Sequence, residues 1–144
     1  MQEYRQVKRS DFDHEITVST RWGDIDALGH LNHAKYLTYL ETARVDFYAS
    51  LGFGEIRKDQ SPSMILGGMN IEYIAQIHHP ATLYICHRIN RVGSKSFDYL
   101  GAIFEEGNDH PSCTGIFKII SFNYKSKKTV EVPQIIYERC WHDS

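Results

Sequence analysis

The chain has 144 residues, of which 42% are hydrophobic and 24% are charged, and this length suits a single domain over residues 1–144 whose core needs no disulfide or metal to hold it. Its 16 Lys and Arg residues against 18 Asp and Glu residues give a net charge of −2, which argues against a nucleic-acid-binding protein because such proteins usually carry a basic excess. No apolar run approaches the roughly 20 residues that span a bilayer, and the polar start of the chain lacks a signal-peptide core, so we expect a cytoplasmic protein with no stable membrane insertion.

The first third of the chain predicts a strand, a loop and a long helix. Alternating β-branched residues predict the strand over residues 14–22, and a turn-rich loop over residues 23–32 follows it. The helix is predicted over residues 33–51, with Asn32 as its N-cap and Gly52 as the residue that ends it. Its apolar residues recur at steps of three or four and form one stripe: Tyr36, Leu40, Ala43, Phe47 and Leu51.

The rest of the chain changes to a period of two, which is typical of strands. After a loop over residues 53–62, alternation from Met69 to Ile77 predicts one strand. Three further strands are marked by Leu83, Ile85 and Ile89, by Phe97, Tyr99 and Ile103, and by residues 113–125. Because short turns join these strands, we expect a mostly antiparallel sheet with the helix covering one face, which is an α+β domain.

The three cysteines do not form a disulfide framework. Cys86, Cys113 and Cys140 are odd in number and widely spaced, and no CxxC pair indicates zinc. Cys86 and Cys113 fall in predicted strands, so we expect them to be buried as small apolar residues.

Reactive side chains are densest where the loop meets the helix: Asp24, Asp26, His30, Asn32 and His33. One chemistry that this group suits is thioester hydrolysis, in which a carboxylate activates water or attacks directly and the free N–H groups of the helix N-terminus polarise the carbonyl. A second is metal binding by two Asp and two His residues, although their spacing matches no common metal motif. A third reading is structural, with the aspartates capping turns and His30 stabilising the loop.

Two charged groups lie outside this cluster. Glu41 and Arg44 stand three residues apart on the predicted helix, and we expect them to pair at its surface. Arg88, Arg91 and Lys95 surround a predicted strand–turn–strand, where they could bind phosphates by charge-assisted hydrogen bonds or remain as solvated turn charges.

The segment Arg21–Leu37 resembles the signature of the hotdog-fold acyl-CoA thioesterases, in particular the 4-hydroxybenzoyl-CoA thioesterase family. The signature reads D-x-D-x-x-G-H-x-N-x-x-x-Y followed by a long helix, and residues 24–36 fit it throughout. Weaker similarities are Asn70–Tyr73, Val92–Phe97 and Val132–Pro133. The resemblance covers about residues 12–138 and implies a hotdog fold, with one long central helix wrapped by a curved antiparallel sheet of about five strands.

The resemblance also implies roles for individual residues. The catalytic carboxylate of the family falls on Asp26, as general base or nucleophile. A histidine that assists in some members falls on His33, whose backbone N–H is the expected oxyanion donor. Relatives often have Tyr four residues before the catalytic Asp, and here that residue is Trp22, whose indole donates a hydrogen bond but cannot accept one. Asp24 and His30 are expected to shape the loop.

The expected substrate is an acyl-CoA, with no metal and no bound cofactor. Asn32, Arg88, Arg91, Ser94 and Lys95 are the predicted substrate-binding residues. An acyl-carrier-protein thioesterase, a non-catalytic acyl-CoA-binding module and a domain without a ligand are the alternatives. We expect a homodimer or homotetramer, because a sheet covered by one helix leaves its edges and part of the strand within residues 64–77 in need of cover.

Overall fold

A computed structural model of the chain describes residues 4–53 and 62–142. The main elements are, in chain order, β1 (His14–Ser19), α1 (His33–Tyr48), β2 (Ser63–Tyr73), β3 (Thr82–Val92), β4 (Ser96–Glu105), β5 (Cys113–Asn123), β6 (Lys128–Thr129) and α2 (Gln134–Glu138). Single helical turns of other types lie at Arg9–Asp11, Trp22–Asp24 and Ala49–Phe53.

All strand pairs in the sheet are antiparallel, in the order β1-β3-β4-β5-β2, with the short β6 paired to the end of β5. The predicted architecture of one long helix and an antiparallel sheet of about five long strands is therefore confirmed. β2 is an edge strand, and Leu66 and Met69 on it are exposed. No helix in the described part of the chain is long and apolar enough to cross a membrane.

The helix α1 begins and packs as its sequence predicts. The side chain of Asn32 accepts a hydrogen bond from the N–H of Ala34 at 2.9 Å, as an N-cap should. Tyr36, Leu40, Ala43 and Phe47 are all buried. Leu40 and Phe47 are fully enclosed, so truncating Leu40 to Ala would cost about 2–5 kcal/mol of stability. The chain leaves the helical conformation at Gly52, whose φ is 100°.

Glycine at position 101 of β4 lets the helix approach the sheet. A Cβ atom there would lie 3.0 Å from Leu40 Cδ2 and 2.7 Å from Nε2 of the fully buried His87. No side chain fits at those distances unless its neighbours move. The close packing of α1 on the sheet therefore depends on the absence of a side chain at Gly101.

Several boundaries differ from the sequence prediction. The strand predicted over residues 14–22 ends at Ser19, and the strand predicted from alternation at 69–77 spans Ser63–Tyr73 instead. After Tyr73 the chain leaves the sheet, because the N–H groups of Ile74 and Ala75 both donate to the carbonyl of Ser112. Most of the loop predicted over residues 53–62 lies outside the described residues.

The C-terminal elements β6 and α2 were not predicted. The cysteines behave as expected, with Cys86 and Cys113 buried in the sheet and all three thiols free.

Candidate active site

At the N-terminus of α1, one N–H group has no acceptor among the described residues. The N–H of Asn32 donates to the carbonyl of Asp24 at 2.9 Å. The N–H of Ala34 donates to Asn32 Oδ1 at 2.9 Å, and that of Lys35 to the carbonyl of Asn32 at 2.8 Å. Within the described part of the chain, no acceptor bonds the N–H of His33. A carbonyl oxygen that reaches His33 therefore meets a free donor at the positive end of the helix dipole.

The carboxylate of Asp26 lies in the loop before this helix end. Its Oδ1 accepts from the N–H groups of Leu28 at 2.9 Å and His30 at 3.2 Å, and the N–H of Asp26 donates to the carbonyl of His30 at 2.8 Å. These bonds fix the direction of the side chain. Among the described residues, none donates to its Oδ2. One oxygen thus holds the loop while the other stays available for chemistry.

Asp26 and His33 line the same cavity, of about 290 Å³, together with Tyr36 and Tyr73. The hydroxyl of Tyr73 donates to the carbonyl of His33 at 3.0 Å, and the rings of Tyr73 and His33 meet edge to face with centroids 6.5 Å apart. Tyr73 therefore joins the edge strand β2 to the first turn of α1. The two residues to which the family resemblance assigns catalytic roles thus line one cavity, and Tyr73 adds a contact that the sequence pattern did not reveal.

Asp24 has the surroundings of a structural carboxylate. It is 3% exposed, and the hydroxyl of Tyr39 donates to its Oδ2 at 2.5 Å. Arg21 and Lys35 lie at 3.5 and 3.7 Å from its oxygens. The hydrogen bond from Tyr39 holds the pKa of this carboxyl below its ordinary value, and the nearby cations act in the same direction. Asp24 thus ties the loop to the second turn of α1, as expected of a residue that shapes the loop.

The neighbouring loop residues also have defined contacts. The ring of His30 packs edge to face on that of His78, with centroids 4.8 Å apart. Trp22 is 78% exposed, and its ring meets that of His79 at 5.7 Å. The amide oxygen of Asn32 is used by its capping bond to Ala34.

Within one protomer, the predicted basic group of Arg88, Arg91 and Lys95 does not lie at the cavity of Asp26. The turn between β3 and β4, which carries Ser94 and Lys95, lies beside the Ile120 end of β5, whereas Tyr73 pairs with Cys113 at the other end. The ten residues of β4 separate these ends by roughly 33 Å. The structure therefore places the basic turn and the helix N-terminus at opposite ends of the sheet.

The arginines of this group are also bonded within the protein. Arg88 is buried, and it donates to the carbonyl of Asp11 at 3.0 Å and to the side chain of Asn90 at 2.9 Å. It is consequently not a solvated turn charge. Arg91 donates to Asp98 at 3.0 Å but remains exposed.

The prediction that Glu41 and Arg44 pair at the helix surface is wrong. Arg44 is buried, and its guanidinium lies 4.1 Å from the centre of the Phe117 ring. Among the described residues, no ion pair joins it to Glu41. As for metals, residues 4–53 and 62–142 contain no group of three or more His, Cys, Asp or Glu side chains placed to hold an ion.

The chain is similar in sequence and in structure to known proteins. The family model of the Thioesterase-like superfamily matches residues 20–140. The PA5185 protein of Pseudomonas aeruginosa strain PAO1 is similar in structure, with a TM-score of 0.81 and 26% identity over 92% of each chain.

Two more distant structures share the fold. The DHNA-CoA thioesterase of Staphylococcus aureus has a TM-score of 0.72 and 22% identity, covering 82% of this chain and 79% of that one. A thioesterase of Thermus thermophilus, complexed with coenzyme A and Zn, has a TM-score of 0.72 and 22% identity, covering 89% of this chain and 97% of that one.

Proposed function

Because the chain belongs to the Thioesterase-like superfamily, we propose that it hydrolyses an acyl-CoA thioester to a free acid and coenzyme A in the cavity of Asp26. The observation that carries the proposal is the pairing of one unbonded N–H, that of His33, with a carboxylate that keeps one oxygen unbonded among the described residues. A donor for the developing oxyanion and an activating carboxylate are the two groups that thioester hydrolysis needs.

In the proposed reaction the N–H of His33 donates to the thioester carbonyl oxygen and stabilises the negative charge that develops there. As general base, Asp26 takes a proton from the water that attacks the carbonyl carbon. As nucleophile, its carboxylate attacks that carbon, and water then cleaves the resulting anhydride. In both routes the C–S bond breaks and coenzyme A leaves as a thiolate, which is stable because a thiol has a pKa near ~8.5. The ring of His33 lines the same cavity and can assist proton transfer.

Coenzyme A is the proposed carrier, and acyl-carrier protein is the alternative. The complex of the Thermus thermophilus thioesterase with coenzyme A supports the first choice. Thiol release from matched acyl-CoA and acyl-carrier-protein substrates would separate them. A cytoplasmic site of action fits the three free cysteines.

We further propose a homodimer in which two β2 edges pair. A two-fold axis makes the paired strands antiparallel, so the Met64 end of one strand lies beside the Tyr73 end of its partner. This pairing would bring the partner's basic turn toward the Asp26 cavity, where Arg91 and Lys95 could meet the phosphates of coenzyme A. Light scattering should give at least twice 16.7 kDa, and a fully active monomer would contradict the pairing.

The proposal is tested by replacing Asp26 with Asn. Asn retains an oxygen that can accept from Leu28 and His30, so the loop and the melting temperature should survive. Its amide is a poor base and a poor nucleophile, so kcat should fall by about 10²–10⁴, while KM changes far less. The exposed Asp109→Asn variant removes a charge elsewhere and serves as the control.

Retention of more than about a tenth of kcat by Asp26→Asn would contradict the assigned chemistry. Tight acyl-CoA binding by the unmodified protein without thiol release would instead indicate a non-catalytic acyl-CoA-binding module.

A further inference from the structure

A second cavity, of about 190 Å³, lies between α1 and β2 near the C-terminal end of the helix. Its walls are mostly apolar and include Val45, Met64, Leu66 and Tyr99. Arg44 on this wall is eleven residues after His33, which corresponds to about 16 Å along the helix axis. The cavity is therefore separate from that of Asp26.

Two buried hydrogen-bond donors on the wall of this cavity have no partner among the described residues. Arg44 is 9% exposed and Tyr48 is 2% exposed. In the described part of the chain, neither Nη1 of Arg44 nor the hydroxyl of Tyr48 has a hydrogen-bond partner. The guanidinium stacks on Phe117, which contacts the face of the group and provides no oxygen for its N–H groups.

Among the described residues, no ion pair joins Glu41 to this guanidinium. Glu41 also lines the cavity. Burial lowers the pKa of Arg44, and the charge of Glu41 has a smaller and opposite effect. Arginine remains charged even so, because its pKa starts above ~12. The cavity therefore has a buried cation on its wall, and Nη1 of this cation has no acceptor among the described residues.

A buried charge without a partner is costly, so a partner from outside the chain is expected. Arginine has donors only, and its planar fork matches the two oxygens of a carboxylate. The apolar walls suit a hydrocarbon body attached to that carboxylate. A cavity of about 150 Å³ is enough for benzene, so this one has room for the end of an acyl group with its terminal carboxylate.

We propose that Arg44 and Tyr48 form a subsite for a carboxylate at the far end of the acyl group, which makes the substrate class acyl thioesters with a second, distal carboxylate. The inference rests on the proposed thioester hydrolysis. In the dimer paired through β2, the Met64 end of one strand lies beside the Tyr73 end of its partner. The cavity of Arg44 then faces the partner's helix N-terminus, so an acyl group reacting there extends toward it.

The test uses pairs of coenzyme A thioesters that differ only in having a carboxylate or a methyl group at the far end. Glutaryl with pentanoyl, suberyl with octanoyl, and dodecanedioyl with dodecanoyl cover short to long chains. The unmodified enzyme should favour the carboxylate member of at least one pair. Arg44→Met should lower kcat/KM for that member by roughly 10- to 100-fold, and Tyr48→Phe by roughly 2- to 10-fold, the ranges for losing charged and neutral hydrogen bonds.

Arg44→Met should lower kcat/KM far less for the methyl-terminated member than for the carboxylate member, because methionine removes the charge and keeps an apolar wall. Arg139→Met is the matched control, because this arginine is exposed and pairs with Asp13 away from the cavity. Absence of any carboxylate preference in the unmodified enzyme, or an equal loss for both members of the pair in Arg44→Met, would overturn the subsite while leaving thioester hydrolysis intact.

Direct binding measurements test the carboxylate subsite independently of thioester hydrolysis. Calorimetric titration should show that octanoate binds more tightly than the neutral octanamide, and that Arg44→Met abolishes the difference. That result in a protein without thioesterase activity would support the subsite and refute the proposed function. Equal binding of the acid and the amide would count against the subsite whatever the activity.

Discussion

Replacing His33 with Pro removes the first-turn N–H that has no acceptor among the described residues, and it preserves the helix. Proline is favoured at the first helical position, where its missing N–H is not needed for a helical bond. Proline also requires extended backbone in the residue before it, and Asn32 already has φ −59° and ψ 132°. The fold should therefore accept the change, and the melting temperature should stay close to that of the unmodified protein.

The expected loss in kcat is about 10²–10³, the range for removing one oxyanion donor. The structure indicates that the loss should not be compensated, because the N–H groups of Asn32, Ala34 and Lys35 already have acceptors. His33→Ala keeps the N–H and removes only the ring, so it is the matched control. Single-turnover thiol release from both variants measures the difference.

The ratio of the two rates isolates the backbone donor from the ring. If His33→Pro turns over as fast as His33→Ala, and both variants melt at similar temperatures, the N–H is not the oxyanion donor. A slow His33→Ala variant would show in addition that the ring takes part in proton transfer.

Two further predictions concern the loop and the basic turn. Asp24→Asn should weaken the charged hydrogen bond from Tyr39 and cost about 1.5–3 kcal/mol, which lowers the melting temperature by roughly 4–10 °C. Because the hydrogen bond from Tyr39 lowers the pKa of this carboxyl, its stabilisation is present above the ordinary pKa of Asp and is lost as pH falls through the lowered pKa, so the two melting curves should converge in acid. Replacing Arg91 and Lys95 together with Ala should raise KM for acyl-CoA at nearly constant kcat, as expected for binding contacts distant from the reacting carbon; an unchanged KM would place the phosphates elsewhere.

The helix and its cap could be predicted because their signals are local. The stripe from Tyr36 to Phe47 and the capping oxygen of Asn32 depend on neighbours within a few residues. The end of β2 could not be predicted in this way. Ala75 and Ile77 continue its alternation, yet Ile77 is buried outside the strand, where its carbonyl accepts from the N–H of Leu31.

The environments of two arginines depend on distant parts of the chain. Arg88 is buried by the segment before β1, through the carbonyl of Asp11. Arg44 did carry a signal in the sequence, because it stands four residues from both Leu40 and Tyr48, within the buried stripe. A charged residue at that spacing indicates burial rather than a surface pair, and burial is what makes it a candidate ligand group.

The need for glycine at position 101 connects packing inside the sheet to the rate of the proposed thioester hydrolysis. A side chain there would press on Leu40 and His87, and a shift of α1 that makes room for it would carry the N–H of His33 with it. A displacement of about 1 Å can reduce a rate 10²-fold, even where the protein still folds. Selection on turnover should therefore hold this position at glycine, although it lies in the middle of a strand and touches no substrate.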